Sequence, residues 1–136
     1  MAHINYQYFN NVFTFITAPV SNYYLILKYY NAIETRSSVP VSFAANINYY
    51  EFINMQNSAF GGNMIQKGER WCIFNGDTKQ EGIIDLDDMQ QIDNDAYNFV
   101  QQQPYISDLN GDNIVDITDI VIADKNAFNF VSSVTQ

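Results

Sequence analysis

The stretch DLNGDNIVDITD, residues 108–119, decides how the second half of the chain is expected to fold. Oxygen-bearing side chains stand at its first, third, fifth, ninth and twelfth positions: Asp108, Asn110, Asp112, Asp116 and Asp119. Four carboxylates within so short a loop repel one another, so a cation normally holds such a cluster together. The stretch therefore predicts a metal site.

The spacing of these oxygens favours Ca²⁺, which takes six to eight hard oxygen ligands and tolerates irregular geometry. Ile114 at position 7 would add its backbone carbonyl, and Asp116 at position 9 would bind directly or through a water. Asn113 at position 6 suits the left-handed turn that such a loop requires. The alternative, a solvated acidic turn, does not explain this register. We also expect Val115 at position 8 to pair with Ile84.

An internal repeat with an offset of 31 residues links two such loops. The segment GIIDLDDMQQIDNDAYNFV (82–100) aligns with NIVDITDIVIADKNAFNFV (113–131), and duplication at this length indicates paired calcium loops. In the first copy the expected ligands are Asp77, Glu81, Ile83, Asp85 and Asp88. Lys79 occupies the third position, where it removes an oxygen donor and adds positive charge. We expect this site to be weaker, or empty with the ammonium replacing the metal.

A short helix is predicted after each loop. Leu86, Met89 and Ile92 share one helical face in the first copy, and Ile117, Ile120 and Val121 do so in the second. Before the loops, RWCIFNG is typical of a strand and QQQPYIS of a linker. Each copy is therefore a loop with an exiting helix and no entering helix.

Paired loops that end in Asp and precede a helix resemble the dockerin family, over residues 76–131. The resemblance implies a secreted, calcium-dependent module that attaches proteins to cohesin-like partners through the first turns of its two helices. The positions that it implies for partner binding are Leu86, Asp87, Ile117 and Thr118.

The first half of the chain has a different composition. Residues 1–70 carry a net charge of +1 and residues 71–136 a net charge of −10. Runs such as NVFTFI, YYLILKYY, PVSF and INYYEF predict antiparallel strands. The stretch YYLILKYYNAIETRSS resembles a small β-domain that precedes dockerin-like repeats in secreted bacterial surface proteins. We therefore expect an α+β chain: a Tyr-rich, Ig-like β-sandwich over residues 1–70, then dockerin-like calcium repeats over 71–136, at 77–100 and 108–131.

Several functions are disfavoured by the sequence. The acidic second half lacks the basic face that nucleic acids or anionic membranes require, and no apolar run is long enough to span a bilayer. His3 is the sole histidine and Cys72 the sole cysteine, so we expect no enzyme and no disulfide. The residues given contain no signal peptide, and extracellular or cell-surface localisation is what the resemblance implies.

The expected function is therefore a non-catalytic extracellular module for assembly or attachment. One form of it is a head-to-tail fibre, in which a neighbour adds the N-terminal strand that carries Tyr6 and Tyr8. The alternative is a carbohydrate-binding module that uses outward-facing tyrosines. In either case the three Tyr-Tyr doublets would place one ring in the core and one outside.

Overall fold

A computed structural model describes residues 13–15, 18–44, 48–101 and 105–135. It confirms a mixed α+β chain with short antiparallel strands and two helices. The six strands of the described residues all lie between residues 22 and 72: β1 (Asn22–Tyr23), β2 (Ile26–Tyr29), β3 (Ala32–Arg36), β4 (Val41–Ser42), β5 (Ile65–Lys67) and β6 (Arg70–Cys72).

These strands form three two-stranded antiparallel sheets, β1 with β4, β2 with β3, and β5 with β6. The predicted strand over 23–30 is divided into β1 and β2, since residues 24 and 25 leave the ladder. The predicted strand over INYYEF is wrong for residues 48–52, which have no strand structure. Residues 13–15 of NVFTFI likewise form none. These separate ladders do not confirm an Ig-like sandwich.

Both predicted helices are present, and each begins at position 10 of its acidic loop. Helix α1 spans Leu86–Tyr97 and helix α2 spans Ile117–Phe128. Each begins with an Asp N-cap and a reciprocal capping box, Asp85 with Asp88 and Asp116 with Asp119. The carboxylates at positions 9 and 12 of each loop therefore also satisfy the unpaired N–H groups of the first helical turn.

The buried faces of the helices differ from the predicted ones at their ends. Ile92 and Ala123 are buried in one cluster with Leu109 and Val115, and Met89 packs against them. Leu86, Ile117 and Val121 are exposed, so only part of each predicted apolar face is buried. In the second helix Ala123 lies in the buried cluster instead.

The two halves of the sequence, residues 1–70 (the β-half) and residues 71–136 (the acidic half), share a core across the predicted boundary at residue 70. Ile33 of β3 packs with Ile84 of the first loop and Val131 beyond α2 in a second buried cluster. The Ile33 amide also donates to the carbonyl of Phe74 at 3.1 Å. The β2–β3 hairpin therefore contributes directly to the packing of the acidic half.

The repeat appears in the structure as a reciprocal exchange of backbone pairing. The Ile84 amide donates to the Val131 carbonyl at 3.0 Å, and the Val115 amide donates to the Val100 carbonyl at 3.1 Å. These two bonds are related by the 31-residue offset. The expected pairing of Ile84 with Val115 is wrong, because each loop pairs with the segment that follows the other copy's helix. The start of each helix thus lies beside the end of the other, which makes the pair antiparallel.

Candidate metal centre

The first loop, residues 77–88, is closed by the carboxylates at its two ends. Asp77 accepts hydrogen bonds from the amides of Glu81 (3.0 Å) and Gly82 (2.9 Å). Asp88 accepts from the Lys79 amide at 3.1 Å and the Thr78 hydroxyl at 3.0 Å. The exposed fractions of Asp77 and Asp88 are 2% and 0%, so the backbone of the loop wraps two buried acids.

The second loop, residues 108–119, repeats this arrangement. Asp108 accepts from the amides of Gly111 (2.7 Å) and Asn113 (3.0 Å). Asp119 accepts from the amides of Leu109 (2.7 Å) and Asn110 (3.1 Å), and it is 0% exposed. At position 6 of the two loops φ is +86° for Gly82 and +73° for Asn113. The predicted left-handed turn is confirmed in both copies.

In the first loop the structure brings together a group of carboxylates that could hold a metal ion. Oxygens of Glu81, Asp85 and Asp88 all lie within 4.8 Å of one another. Among the described residues this is the one trio of potential metal-binding side chains that is so closely grouped. Three carboxylates at this separation provide hard oxygen ligands of the kind that Ca²⁺ and Mg²⁺ prefer.

The oxygens of the second loop are instead engaged in pairs. Asp112 accepts from the Ile114 amide at 2.9 Å and from the Asn110 side-chain amide at 3.0 Å. Asp116 accepts from the Thr118 amide and hydroxyl, each at 2.7 Å. Among the described residues of this loop, no three carboxylates are grouped as closely as those of the first loop.

The ammonium of Lys79 does not fill the first loop. Its Nζ lies 3.8 Å from Asp87, a residue outside the cluster of Glu81, Asp85 and Asp88. The expectation that this ammonium replaces a metal is therefore wrong for this structure. Ile83 and Ile114, the predicted carbonyl ligands at position 7, stand opposite Ser132 and Gln101 in β-bridges. The bonds of the first bridge are made by the Ile84 amide and the Gly82 carbonyl, so the bridge does not use the Ile83 carbonyl.

Burial and like charge act on the acids at the two ends of the loops. Burial is the main cause that raises the pKa of Asp77 above its usual 3.8, and the charge of Asp88 adds to it. Burial likewise raises the pKa of Asp119, and the charge of Asp108 adds to it. In contrast, the hydroxyl and amide of Thr118 lower the pKa of the exposed Asp116. The fold thus disfavours the ionised form of two residues at predicted ligand positions.

Side-chain amides fasten the start of the second loop to the β-half and to helix α2. Asn31, which follows β2, donates to the Asp108 carbonyl at 2.9 Å. Asn75 donates to the Leu109 carbonyl at 2.7 Å and accepts on its own carbonyl from Asn126 of α2 at 2.7 Å. The start of the second loop is therefore hydrogen-bonded to the residue that follows β2 and, through Asn75, to helix α2.

The predicted partner-binding residues lie on the surface of the first helical turns. Leu86, Asp87, Ile117 and Thr118 are all exposed. Asp87 is paired with Lys79, and the Thr118 hydroxyl accepts from Asn110 at 2.8 Å. Of these four residues, Leu86 and Ile117 are the two that expose an apolar side chain. Tyr6 and Tyr8 lie outside the described residues.

Large exposed aromatic residues at the helix ends were not among the predicted site residues. These residues are Tyr97 and Phe99 in the first copy, and Phe128 and Phe130 in the second. The one available signal was the Asn-Phe-Val sequence at the end of both repeats. Periodicity could not show that these Phe side chains face solvent.

The fold and the site define a mixed α+β chain built around a duplicated acidic loop and helix. No protein-family model matches the sequence, and no match was found among the curated proteins or the solved structures. Neither described helix has the length and apolar character needed to cross a bilayer.

Proposed function

We propose that this chain is a non-catalytic extracellular module, stabilised by Ca²⁺ in its two acidic loops, that mediates protein assembly or attachment. The observation that carries the proposal is the burial of three loop-end carboxylates, Asp77, Asp88 and Asp119, that form no ion pair with a lysine or arginine of the described residues. Asp77, Asp88 and Asp119 are at most 2% exposed. The ion pairs of the described residues join Lys28 to Glu34 and Lys79 to Asp87 instead.

Uncompensated buried carboxylates are costly because the low local dielectric strengthens their repulsion and removes their hydration. Their hydrogen bonds to loop amides offset part of this penalty. A divalent cation bound by Asp77 and Asp88, or by Asp108 and Asp119, would offset much more of it. Metal binding and folding are then coupled, because the ligands are brought together only in the folded chain.

The low calcium affinity that we expect of the two loops supports the extracellular assignment. Lys79 leaves the first loop one donor short, and position 12 is Asp in both loops, where the highest-affinity loops use a bidentate Glu. Sites of this kind suit the high calcium concentrations outside cells. A dockerin-like role in attachment is consistent with exposed Leu86 and Ile117 at equivalent positions of the two copies.

The test of this proposal is thermal unfolding of the full chain in calcium and in a chelator. Calcium should raise the melting temperature, and magnesium at the same concentration should raise it less, because Mg²⁺ requires a regular octahedral site. A melting temperature that is the same in calcium and in chelator would refute the calcium part of the proposal. Isothermal titration calorimetry would give the number of sites directly.

A further inference from the structure

The second residue after each helix combines two unfavourable features. Phe99 and Phe130 have φ values of +51° and +52°, a left-handed conformation that bulky side chains rarely adopt and that Gly or Asn normally occupies at a helix C-terminus. Their rings are also 81% and 86% exposed. A strained backbone and an exposed aromatic ring therefore coincide at the same position in both copies.

The left-handed backbone ends each helix in a Schellman motif. The Phe99 amide donates to the Ala96 carbonyl and the Val100 amide to the Asp95 carbonyl, each at 3.1 Å, and the equivalent bonds join Phe130 to Ala127 and Val131 to Asn126. The motif requires a left-handed residue but not a phenylalanine, since Gly or Asn adopts this backbone with less strain. A side chain kept at a conformational cost is characteristic of functional positions. Exposed aromatic residues of this size are characteristic of interfaces.

Phe99 belongs to an open groove of about 530 Å³ between the end of α1 and the start of α2. Its apolar lining includes Tyr97, Phe99, Ile114 and Ile117, which we call the first aromatic patch. Phe128, Phe130, Ile83 and Leu86 hold the equivalent positions in the other copy and are all exposed. We call these four the second aromatic patch.

The charges around the first aromatic patch indicate what it would bind. Asp93 and Asp116 also line the groove, and residues 71–136 carry twelve acidic side chains against Lys79 and Lys125. A second copy of this acidic half would bring like charges together. A partner with aliphatic side chains flanked by lysine or arginine would bury the rings and neutralise the rim.

We propose that the two aromatic patches are docking surfaces for a protein segment with aliphatic anchors and a basic border, and that one chain binds two such segments. The antiparallel helices have 12 residues each, so the patches lie about 18 Å apart at opposite ends of the pair. Lys125 stands in the second copy where Asn94 lines the groove in the first. The second aromatic patch therefore binds a basic segment more weakly.

The inference rests on the proposed role in protein attachment, and its test separates the two. The probe is a short amphipathic helical peptide of leucine and lysine, titrated into the full calcium-loaded chain at physiological salt. A leucine–glutamate peptide of the same length is the charge control. The variants are Phe99→Asn, Phe130→Asn and both together, because Asn removes the ring and tolerates the left-handed backbone. Val39→Ser, at an exposed valine in the β-half, is the matched surface control.

We expect the unmodified chain to bind two lysine peptides. Each single Phe→Asn variant should bind one, and the double variant should bind none. Val39→Ser should still bind two, and the glutamate peptide should not bind. Melting temperatures of the Phe→Asn variants should be unchanged or higher, with the calcium response intact. If calcium stabilises no variant while peptide binding still follows the rings, the calcium proposal fails and this inference stands.

Three results would overturn the inference. The first is lysine-peptide binding that survives in the double variant. The second is a fall in melting temperature on Phe→Asn, which would show that the rings pack within the chain. The third is self-association of the unmodified chain that the double variant abolishes, which would make a second copy the occupant.

Discussion

Replacing the last carboxylate of the second loop, Asp119→Asn, should remove most of the stabilisation that calcium provides. Asp119 accepts on one oxygen from Leu109 and Asn110 at 2.7 and 3.1 Å, and on the other from the Asp116 amide at 3.0 Å. Asparagine keeps one oxygen and places an NH₂ group against the third donor. In chelator the lost hydrogen bond costs about 1–3 kcal/mol, partly offset because a buried charge is also removed.

The effect in calcium follows from mass action. At a free calcium concentration of about 100 times the dissociation constant, binding to the folded chain adds about 2.7 kcal/mol. For a chain of this size that corresponds to a rise in melting temperature of roughly 5–15 °C. Asp119→Asn weakens the twelfth-position ligand and should reduce this rise to a few degrees.

Asp88→Asn is the matched control, because Asp88 holds the equivalent position and also accepts from three donors in the first loop. We expect the Asp88→Asn chain to keep most of the calcium response, since the first loop has Lys79 at a ligand position. The assay is differential scanning calorimetry of the three chains in calcium and in chelator. An Asp119→Asn chain with the full calcium-induced rise would refute the reasoning.

Three further predictions concern pH, the first loop and the anchoring of the second loop. Without calcium, stability should increase as pH falls through the raised pKa values of Asp77 and Asp119 towards their ordinary value of 3.8, because the folded chain then binds protons that the unfolded chain does not. Saturating calcium should reverse this slope in urea titrations, and a calcium-free chain that gains stability with rising pH over that range would contradict the prediction. Lys79→Asn with Glu81→Asp should tighten calcium binding in the first loop, and calorimetry that shows two equally tight sites in the unmodified chain would count against it. Asn75→Ala should lower unfolding free energy by about 1–3 kcal/mol, because it removes the 2.7 Å bond to the second loop, and an unchanged urea midpoint would argue against that coupling.

The acidic half was predictable because each signal in it is local. Position 6 requires a left-handed residue, and Gly82 and Asn113 are the residue types that adopt it. Asp85 and Asp116 are good N-cap residues followed by helical periodicity, so both helix starts could be read directly from the sequence. No long-range contact is needed for either inference.

The β-half was less predictable because its strands are short and their pairing is not local. Tyr and Ile in YYLILKYY favour strand structure, but where the ladder breaks at residues 24 and 25 depends on tertiary contacts. One of these is the 3.0 Å bond from the Leu25 amide to the Ser37 hydroxyl. The pairing of Ile84 with Val131 was also not predicted from the sequence. An apolar residue at position 8 is compatible with several partners.

The helix ends show a different limit of sequence reading. The sequence violates a local rule at Phe99 and again at Phe130, since Asn or Gly would relieve a backbone penalty of about 1–2 kcal/mol at each. Pattern analysis treats such a residue as the next member of an apolar face and assigns it to the core. The structure places both rings in solvent, and Phe99 lines a groove together with Asp93 and Asp116. Because local rules are broken mainly where function requires it, the same costly choice at equivalent positions distinguishes the two Phe residues from the other exposed apolar side chains of the described residues.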